Sequence, residues 1–124
     1  MPYTGCFMKE IFRIATSSPF SNFQETTEDV DFHGYGIPKS TIVIGNIFGQ
    51  HYNDKIWDAP EEFRPERFMD EFNNSPSIIS FSVGLRTCIG QTFARNVFFL
   101  LLVFLYQRFS FELDVASNPI PTDE

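Results

Sequence analysis

The chain has 124 residues, of which 43% are hydrophobic and 17% aromatic, and its formal net charge is −7 at pH 7. This length allows one compact unit with its own core, and the composition excludes a disordered chain. The negative charge argues against nucleic acid as the main partner, because nucleic-acid-binding proteins present a basic surface. Two cysteines, Cys6 and Cys88, are too few for a disulfide framework and lack the CxxC spacing of a metal site.

Helical periodicity marks two segments. Tyr3 to Ala15 repeats apolar residues at three- and four-residue spacing, and Pro19 is expected to end this helix. Gly90 to Arg108 gives the strongest helical pattern, and apolar residues cover most of its circumference after Val97, which predicts a buried core helix. The chain begins with no signal-peptide or anchor pattern, and its longest apolar run is too short to span a bilayer.

The region between the helices predicts small strands and irregular structure. Thr26 to Phe48 favours strands, with a turn over His33 to Pro38 and a buried strand over Thr41 to Phe48. The other predicted segments are an irregular meander with a short helical turn (Asp54 to Phe72), a polar loop (Asn73 to Ser80), a short strand (Phe109 to Leu113) and a frayed tail.

Acidic residues are absent from Phe72 to Phe111, where the charged residues are Arg86, Arg95 and Arg108. Such a window is typical of a buried apolar segment, which carries few charges of either sign. It is also consistent with a locally positive face around Cys88 that could dock an acidic partner. The charge pattern alone leaves both interpretations open.

The run FSVGLRTCIG places Cys88 directly before the long helix. A thiol at a helix N-terminus faces free N–H groups and the positive end of the dipole, which stabilise a thiolate. Gly84 and Gly90 allow tight turns or close approach to a flat ligand. Arg86 can meet a carboxylate, and Phe81 can shield a sulfur from water. The alternative is a buried, unreactive cysteine, the usual state of a lone Cys.

This run resembles the haem-binding loop FxxGxRxCxG of the cytochromes P-450, the haem-thiolate monooxygenases. It matches all fixed positions of that pattern, which are Phe81, Gly84, Arg86, Cys88 and Gly90. The resemblance implies that haem b is the cofactor, that Cys88 is the proximal ligand of its iron, and that Arg86 meets a haem propionate. A thiolate ligand there favours O–O cleavage of iron-bound dioxygen.

Two further motifs occur in the order found in that family. Glu10 and Arg13 have an ExxR spacing that puts them on one helix face, although such pairs are usually exposed and weak. Arg67 lies in the sequence PERF. The resemblance implies a buried structural triad of Glu10, Arg13 and Arg67 that clamps the first helix to the meander, and it assigns no catalytic residue to this chain.

Other positions depart from the family or remain open. Gln24 stands where many microsomal members have a His that contacts a haem propionate. Ser18 and Asn22 correspond to a substrate-contacting segment, with an ordinary polar loop as the alternative. His33 and His51 have no partner at ligand spacing and are predicted to be loop or surface histidines.

The resemblance covers residues 1–124 and implies one partial cytochrome P-450 domain. The implied fold is mainly α (α+β): the C-terminal haem-binding part, with two long helices and small strands and a meander between them. The implied reaction inserts one oxygen atom from O2 into an apolar substrate, with electrons from an NADPH-dependent flavoprotein reductase. The implied location is the cytosolic face of the endoplasmic reticulum membrane, with mitochondria left open.

The family's oxygen-activating helix and membrane anchor have no counterpart in these residues. We therefore expect little or no monooxygenase activity from this chain alone and interpret it as a fragment of a longer enzyme. The alternatives are a short haem-binding protein without turnover and a truncated relic without a ligand.

Overall fold

The structure, a computed structural model, describes residues 2–69 and 78–112. The chain divides into two compact units, Met1–Cys88 and Ile89–Glu124. The predicted polar loop up to residue 77, the end of the predicted meander and the predicted frayed tail lie outside the described residues.

The first helix, α1 (Pro2–Ala15), confirms the helix predicted over Tyr3 to Ala15. Its buried residues are Cys6, Glu10 and Arg13, whose spacing places them on one face. Thr16 follows with a φ of 28°, in the left-handed region, and its hydroxyl donates to the Arg13 carbonyl at 2.5 Å. The helix therefore ends at a local backbone reversal before Pro19 is reached.

Short strands follow and form two antiparallel pairs: β1 (Gln24–Glu25) with β4 (Ile42–Val43), and β2 (Val30–Phe32) with β3 (Tyr35–Ile37). The β2–β3 turn consists of His33 and Gly34, whose φ angles of 53° and 85° suit a two-residue hairpin. Strands are thus confirmed here, but the predicted turn over His33 to Pro38 is too long because β3 begins at Tyr35.

The buried strand predicted over Thr41 to Phe48 is wrong. Only Ile42–Val43 is a strand, and both of its side chains are exposed. The chain then forms a short helix, α2 (Ile47–His51), which begins with Asn46 as its N-cap. The Asn46 side-chain oxygen accepts from the Gly49 N–H at 2.7 Å. This cap satisfies a first-turn donor and favours a helix over continued extension.

The core of the first unit lies between α1 and the meander. Cys6, Trp57 and Phe68 form the buried cluster, and Ile56 and Ile78 pack against it. The Trp57 and Phe68 rings meet edge to face, with their centroids 5.9 Å apart. The predicted helical turn of the meander is the 3₁₀ turn Pro65–Phe68, which confirms that part of the prediction.

The second unit contains α3 (Gln91–Arg108), which confirms the extent of the helix predicted over Gly90 to Arg108. Its predicted burial is wrong, because none of its residues is buried and Phe93 remains 74% exposed. An apolar helix is buried only where other elements cover it, and α3 is the one helix described within residues 89–112.

The strand predicted over Phe109 to Leu113 is wrong for residues 109–112, which have no strand assignment, and residue 113 is outside the described part. Among the described helices, none is long and apolar enough to cross a membrane.

Candidate functional site

Two arginines converge on the carboxylate of Glu10. The side chains of Glu10 and Arg13 are 0% exposed and that of Arg67 is 7% exposed. Arg13 donates through Nε and Nη2 to the two carboxylate oxygens at 2.9 and 2.8 Å. Arg67 Nε and the backbone N–H of Arg64 donate to Oε1 at 3.1 and 2.9 Å. The structure thus brings together the three residues of the predicted triad.

The remaining guanidinium donors bind backbone carbonyls. Arg13 Nη1 donates to the His51 carbonyl at 2.8 Å, and Arg13 Nη2 reaches the Glu62 carbonyl at 3.3 Å. Arg67 donates to the carbonyls of Asp58, Ala59 and Glu62, at 2.6, 3.1 and 3.1 Å. A planar guanidinium suits this fan of acceptors because its N–H groups point in fixed directions. The cluster therefore joins α1 to α2 and to the meander.

The charge on Glu10 is stabilised by its neighbours. Burial by itself would raise the pKa of the Glu10 carboxyl. The hydrogen bonds from Arg13 and from the Arg64 backbone, together with the positive charges of Arg13 and Arg67, outweigh burial and hold this pKa below its usual range. Glu10 is accordingly ionised near neutral pH, and its charge is paired inside the unit.

The cysteine loop, defined here as Phe81 to Cys88, closes on itself through backbone hydrogen bonds. The Cys88 N–H donates to the Phe81 carbonyl at 2.9 Å, and the Thr87 N–H donates to the Gly84 carbonyl at 3.1 Å. Gly84 has a φ of 72°, in the left-handed region that favours glycine. Cys88 carries a free thiol and is exposed. The burial considered as an alternative for Cys88 therefore does not match the structure.

The other residues of the sequence pattern have different environments. The ring of Phe81 lies edge-on to Phe12 of α1, with their centroids 5.3 Å apart. Arg86 is exposed and ends the 3₁₀ turn Gly84–Arg86. Gly90 is the N-cap of α3 with a φ of −85°, which any residue can adopt, so a positive φ is not the reason for glycine there.

The residues that the resemblance assigns to propionate or substrate contacts are exposed. Gln24 belongs to β1 and pairs with Val43 of β4. The Ser18 hydroxyl donates to the Phe20 carbonyl at 3.0 Å, and the Asn22 carbonyl accepts from the Ser21 hydroxyl at 3.1 Å. These hydrogen bonds are local, as in an ordinary polar loop, and a contact with propionate or substrate remains a prediction.

His51 was predicted to be a loop or surface histidine, and this prediction is wrong. His51 ends α2 and is 0% exposed. Its Nδ1 lies 3.0 Å from the Thr16 hydroxyl, and its Nε2 accepts from the Ile79 N–H at 3.0 Å. The ring contacts Thr16, just after α1, and Ile79, and the His51 carbonyl accepts from Arg13 Nη1. The sequence around His51 shows no regular apolar pattern that could have predicted these contacts. His33, by contrast, is exposed in the hairpin turn, as predicted.

The surroundings of Cys88 bear on the predicted haem site. Within residues 2–69 and 78–112, no group of three or more His, Cys, Asp or Glu side chains could hold a metal ion. A bare ion needs several protein ligands, whereas haem iron already has its ring nitrogens and needs an axial ligand such as Cys thiolate. Val83 and Leu85 are exposed apolar side chains of the same loop. An exposed thiol beside exposed apolar side chains is compatible with an axial ligand of haem iron, and ligation by Cys88 remains a prediction.

Comparison with known proteins identifies the family. The model of the cytochrome P450 family matches residues 1–124. The chain belongs to the cytochrome P450 family. This confirms the family inferred from the sequence, and the relatives include microsomal types. Cytochromes P450 are monooxygenases that carry haem, and their microsomal members typically reside at the endoplasmic reticulum membrane.

Individual relatives match nearly the whole chain. Cytochrome P450 2U1 of Bos taurus is 37% identical over 125 residues, which cover 98% of this chain and 23% of that protein. The steroid 17-alpha-hydroxylase/17,20 lyase of Gallus gallus is 36% identical, with 100% of this chain and 25% of that protein covered. The chain thus spans about a quarter of the length of the curated relatives it matches.

Solved structures share the fold. A zebra fish cytochrome P450 solved with progesterone matches with a TM-score of 0.80 and 34% identity, over 89% of this chain and 25% of that one. The retinoic acid-bound cyanobacterial CYP120A1 matches with a TM-score of 0.79 and 32% identity, over 86% of this chain and 26% of that one. The mixed α/β structure described above is therefore part of a cytochrome P450 fold.

Proposed function

We propose that this chain is the C-terminal haem-binding part of a microsomal monooxygenase, in which Cys88 supplies the thiolate ligand of haem b. The observation that carries the proposal is the exposed free thiol of Cys88 in a loop closed by backbone hydrogen bonds. Exposed Val83 and Leu85 give that loop an apolar surface for a flat ligand. The match of the family model over the whole chain supports the same assignment.

Each residue of the proposed site has a defined task. Cys88 Sγ binds the iron, and the exposed guanidinium of Arg86 pairs with a haem propionate. Gln24 donates a hydrogen bond at the propionate site where many family members carry a His. Gly84 gives the loop its left-handed turn, and Phe81 holds the start of the loop against α1. Glu10, Arg13 and Arg67 are structural and keep α1, α2 and the meander in register.

When haem is bound, its iron supplies the activation of dioxygen from which one oxygen atom enters an apolar organic substrate. The molecules bound in the solved relatives, progesterone and retinoic acid, have large hydrocarbon skeletons and support that substrate class. Ser18 and Asn22 are proposed as substrate contacts. Electrons come from an NADPH-dependent flavoprotein reductase, and Arg86 lies in the acid-free window that would suit an acidic partner surface.

We further propose that residues 1–124 alone do not turn over substrate and that the complete enzyme acts at the cytosolic face of the endoplasmic reticulum. Proteins of the family that this chain matches are about four times longer, since the chain spans 23–25% of them. The test is incubation of the purified chain with haem, reductase, NADPH and a panel of apolar substrates. Product formation above a control without the chain would overturn the proposal of inactivity.

Ligation by Cys88 is tested by reconstituting the chain with haemin, reducing it and adding carbon monoxide. We expect the red-shifted Soret band of a thiolate-bound carbonyl complex in the wild type. Cys6→Ala should keep this band, because the Cys6 thiol of the wild type is buried. Cys88→Ser should lose that band. A missing band in the wild type, or an unchanged band in Cys88→Ser, would overturn the assignment. A band without product in the substrate panel would also suit a haem-binding protein without turnover.

A further inference from the structure

The segment that leads into the cysteine loop is held by the side chain of His51 in α2 and by a backbone carbonyl of α1. The Ile79 N–H donates to Nε2 of His51, at the end of α2, at 3.0 Å. The Ser80 hydroxyl donates to the Phe12 carbonyl of α1 at 2.6 Å. Because the chain passes from Ser80 directly into Phe81, these contacts determine where the loop begins.

The hydrogen bonds of His51 define its tautomer. The Thr16 hydroxyl donates to the Arg13 carbonyl at 2.5 Å, so its oxygen is left to accept from His51 Nδ1, 3.0 Å away. At the other side of the ring, Nε2 accepts from the Ile79 N–H. A neutral imidazole protonated at Nδ1 satisfies both contacts, whereas an imidazolium would direct an N–H from Nε2 against the Ile79 N–H.

The surroundings of His51 favour the neutral ring. Burial and the positive charge of Arg13 both hold the pKa of the His51 imidazole below its ordinary value. The charged groups of α1 on this side are Arg13, which donates to the His51 carbonyl at 2.8 Å, and Glu10, which is paired with Arg13. The segment Ile79–Ser80 contributes no charged side chain.

We propose that His51 is a positioning residue for the cysteine loop: its neutral imidazole holds Ile79 against the α1–α2 junction and thereby fixes the start of the loop that carries Cys88. Acid releases the loop, because protonation at Nε2 requires loss of the bond to Ile79. This release of the loop is expected in the protein without haem or any other ligand. Only its consequence for haem rests on the proposed function of Cys88.

Two substitutions test the contacts of Nε2 and Nδ1 separately. In His51→Gln, the side-chain amide reaches the position of Nε2 and can still accept from Ile79. In His51→Asn, the shorter amide reaches only the position of Nδ1, so the contact with Thr16 can remain while the acceptor for Ile79 is lost. If His51 only fills space, Gln and Asn should change the stability of the whole unit to different extents. Neither variant should then change amide exchange at Ile79 more than at other sites.

Amide hydrogen exchange followed by NMR at neutral pH reads the anchor directly. We expect exchange at Ile79 to be about tenfold faster in His51→Asn, which is the scale for loss of one hydrogen bond. In His51→Gln, exchange at Ile79 should stay close to wild type. Thr26, whose N–H donates to the Thr41 carbonyl at 3.1 Å in the strands, is the remote control and should be unaffected. Equal exchange at Ile79 in both variants, or equal acceleration at Thr26, would overturn the proposal.

Amide exchange and the haem spectrum, each measured against pH, test whether acid releases the loop. In the wild type, protection of the Ile79 amide against exchange should fall as pH falls below about 6.5, the ordinary pKa of His, and the carbon monoxide complex should lose its thiolate band over the same range. His51→Gln should show neither change in that range. A wild type and His51→Gln with the same pH profile would overturn the proposal. Exchange that behaves as expected without any haem spectrum would overturn only the assignment of Cys88.

Discussion

Replacing Glu10 with Gln removes one charge from the buried cluster and leaves the shape of the side chain almost unchanged. The carboxylate accepts four hydrogen bonds, two from Arg13, one from Arg67 and one from the Arg64 backbone. A Gln amide offers one oxygen and one NH2 group. Its NH2 group must face an N–H donor of Arg13 or Arg67, so at least one guanidinium donor loses its partner.

The magnitude follows from what remains buried. A hydrogen bond to a charged group is worth about 1.5–3 kcal/mol, and removing one member of a buried ion pair costs about 3–5 kcal/mol because the partner charge is left uncompensated. In Glu10→Gln, two guanidinium groups lose their shared counter-ion, while the backbone carbonyls that they bind stay in place. We therefore expect the free energy of unfolding to fall by about 3–5 kcal/mol.

Urea unfolding followed by the fluorescence of Trp57, the only tryptophan, measures this loss in the unit that contains the cluster. The pH dependence gives a second readout. Because the pKa of Glu10 is held below its usual range, its stabilisation is complete above about pH 4.5 and is lost as pH falls through the lowered pKa. Glu10→Gln should lack this component, so the wild type and the variant should converge in acid.

Asp58→Asn is the matched control. It also converts a carboxylate that pairs with an arginine, since Asp58 Oδ2 lies 2.6 Å from Arg64 Nη2, but the Asp58 side chain is 85% exposed. Water and ions replace a lost exposed partner, so we expect little change in unfolding. Equal losses in Glu10→Gln and Asp58→Asn would refute the reasoning that burial makes the Glu10 charge essential.

Three further changes test other parts of the first unit. Arg67→Lys should cost about 1–3 kcal/mol in urea unfolding, because an ammonium cannot reach Glu10 and the meander carbonyls together; an unchanged midpoint would contradict this. Asn46→Ala should cost about 1 kcal/mol by loss of the α2 cap, with Asn46→Ser near wild type; equal losses would argue against capping. A thiol reagent should label exposed Cys88 in the native chain and buried Cys6 only upon unfolding, and similar native rates would contradict the described burial.

Local patterns predicted α1 and α3 closely. Apolar spacing gave their extents to within a residue, because helical periodicity is a property of neighbouring residues. The same kind of reasoning failed over Thr41 to Phe48. There the β-branched run favoured a strand, whereas the cap at Asn46 and the burial of Ile47 favoured α2. Asn46 was the signal in the sequence that could have indicated the helix.

In the candidate site, too, some contacts were predicted from the sequence and others appear only in the structure. The spacing of Glu10 and Arg13 predicted one shared helix face, and family resemblance added Arg67 from a distant segment. The structure shows the hydrogen bonds that connect them. No pattern indicated that Arg13 would also bind the His51 carbonyl or that Ile79 would bind the His51 ring. Such contacts join residues far apart in the chain, so only their arrangement in space reveals them.

The sequence by itself determined the boundaries of α1 and α3, the residue types of the cysteine loop and the family to which the chain belongs. Tertiary structure decided burial. It placed His51 at 0% exposure where a surface histidine was predicted, and it left the apolar helix α3 without a buried residue where a core helix was predicted. The physical reason is that hydrogen-bonding patterns and side-chain periodicity act between near neighbours, whereas removal from water depends on which distant surfaces come to cover a residue.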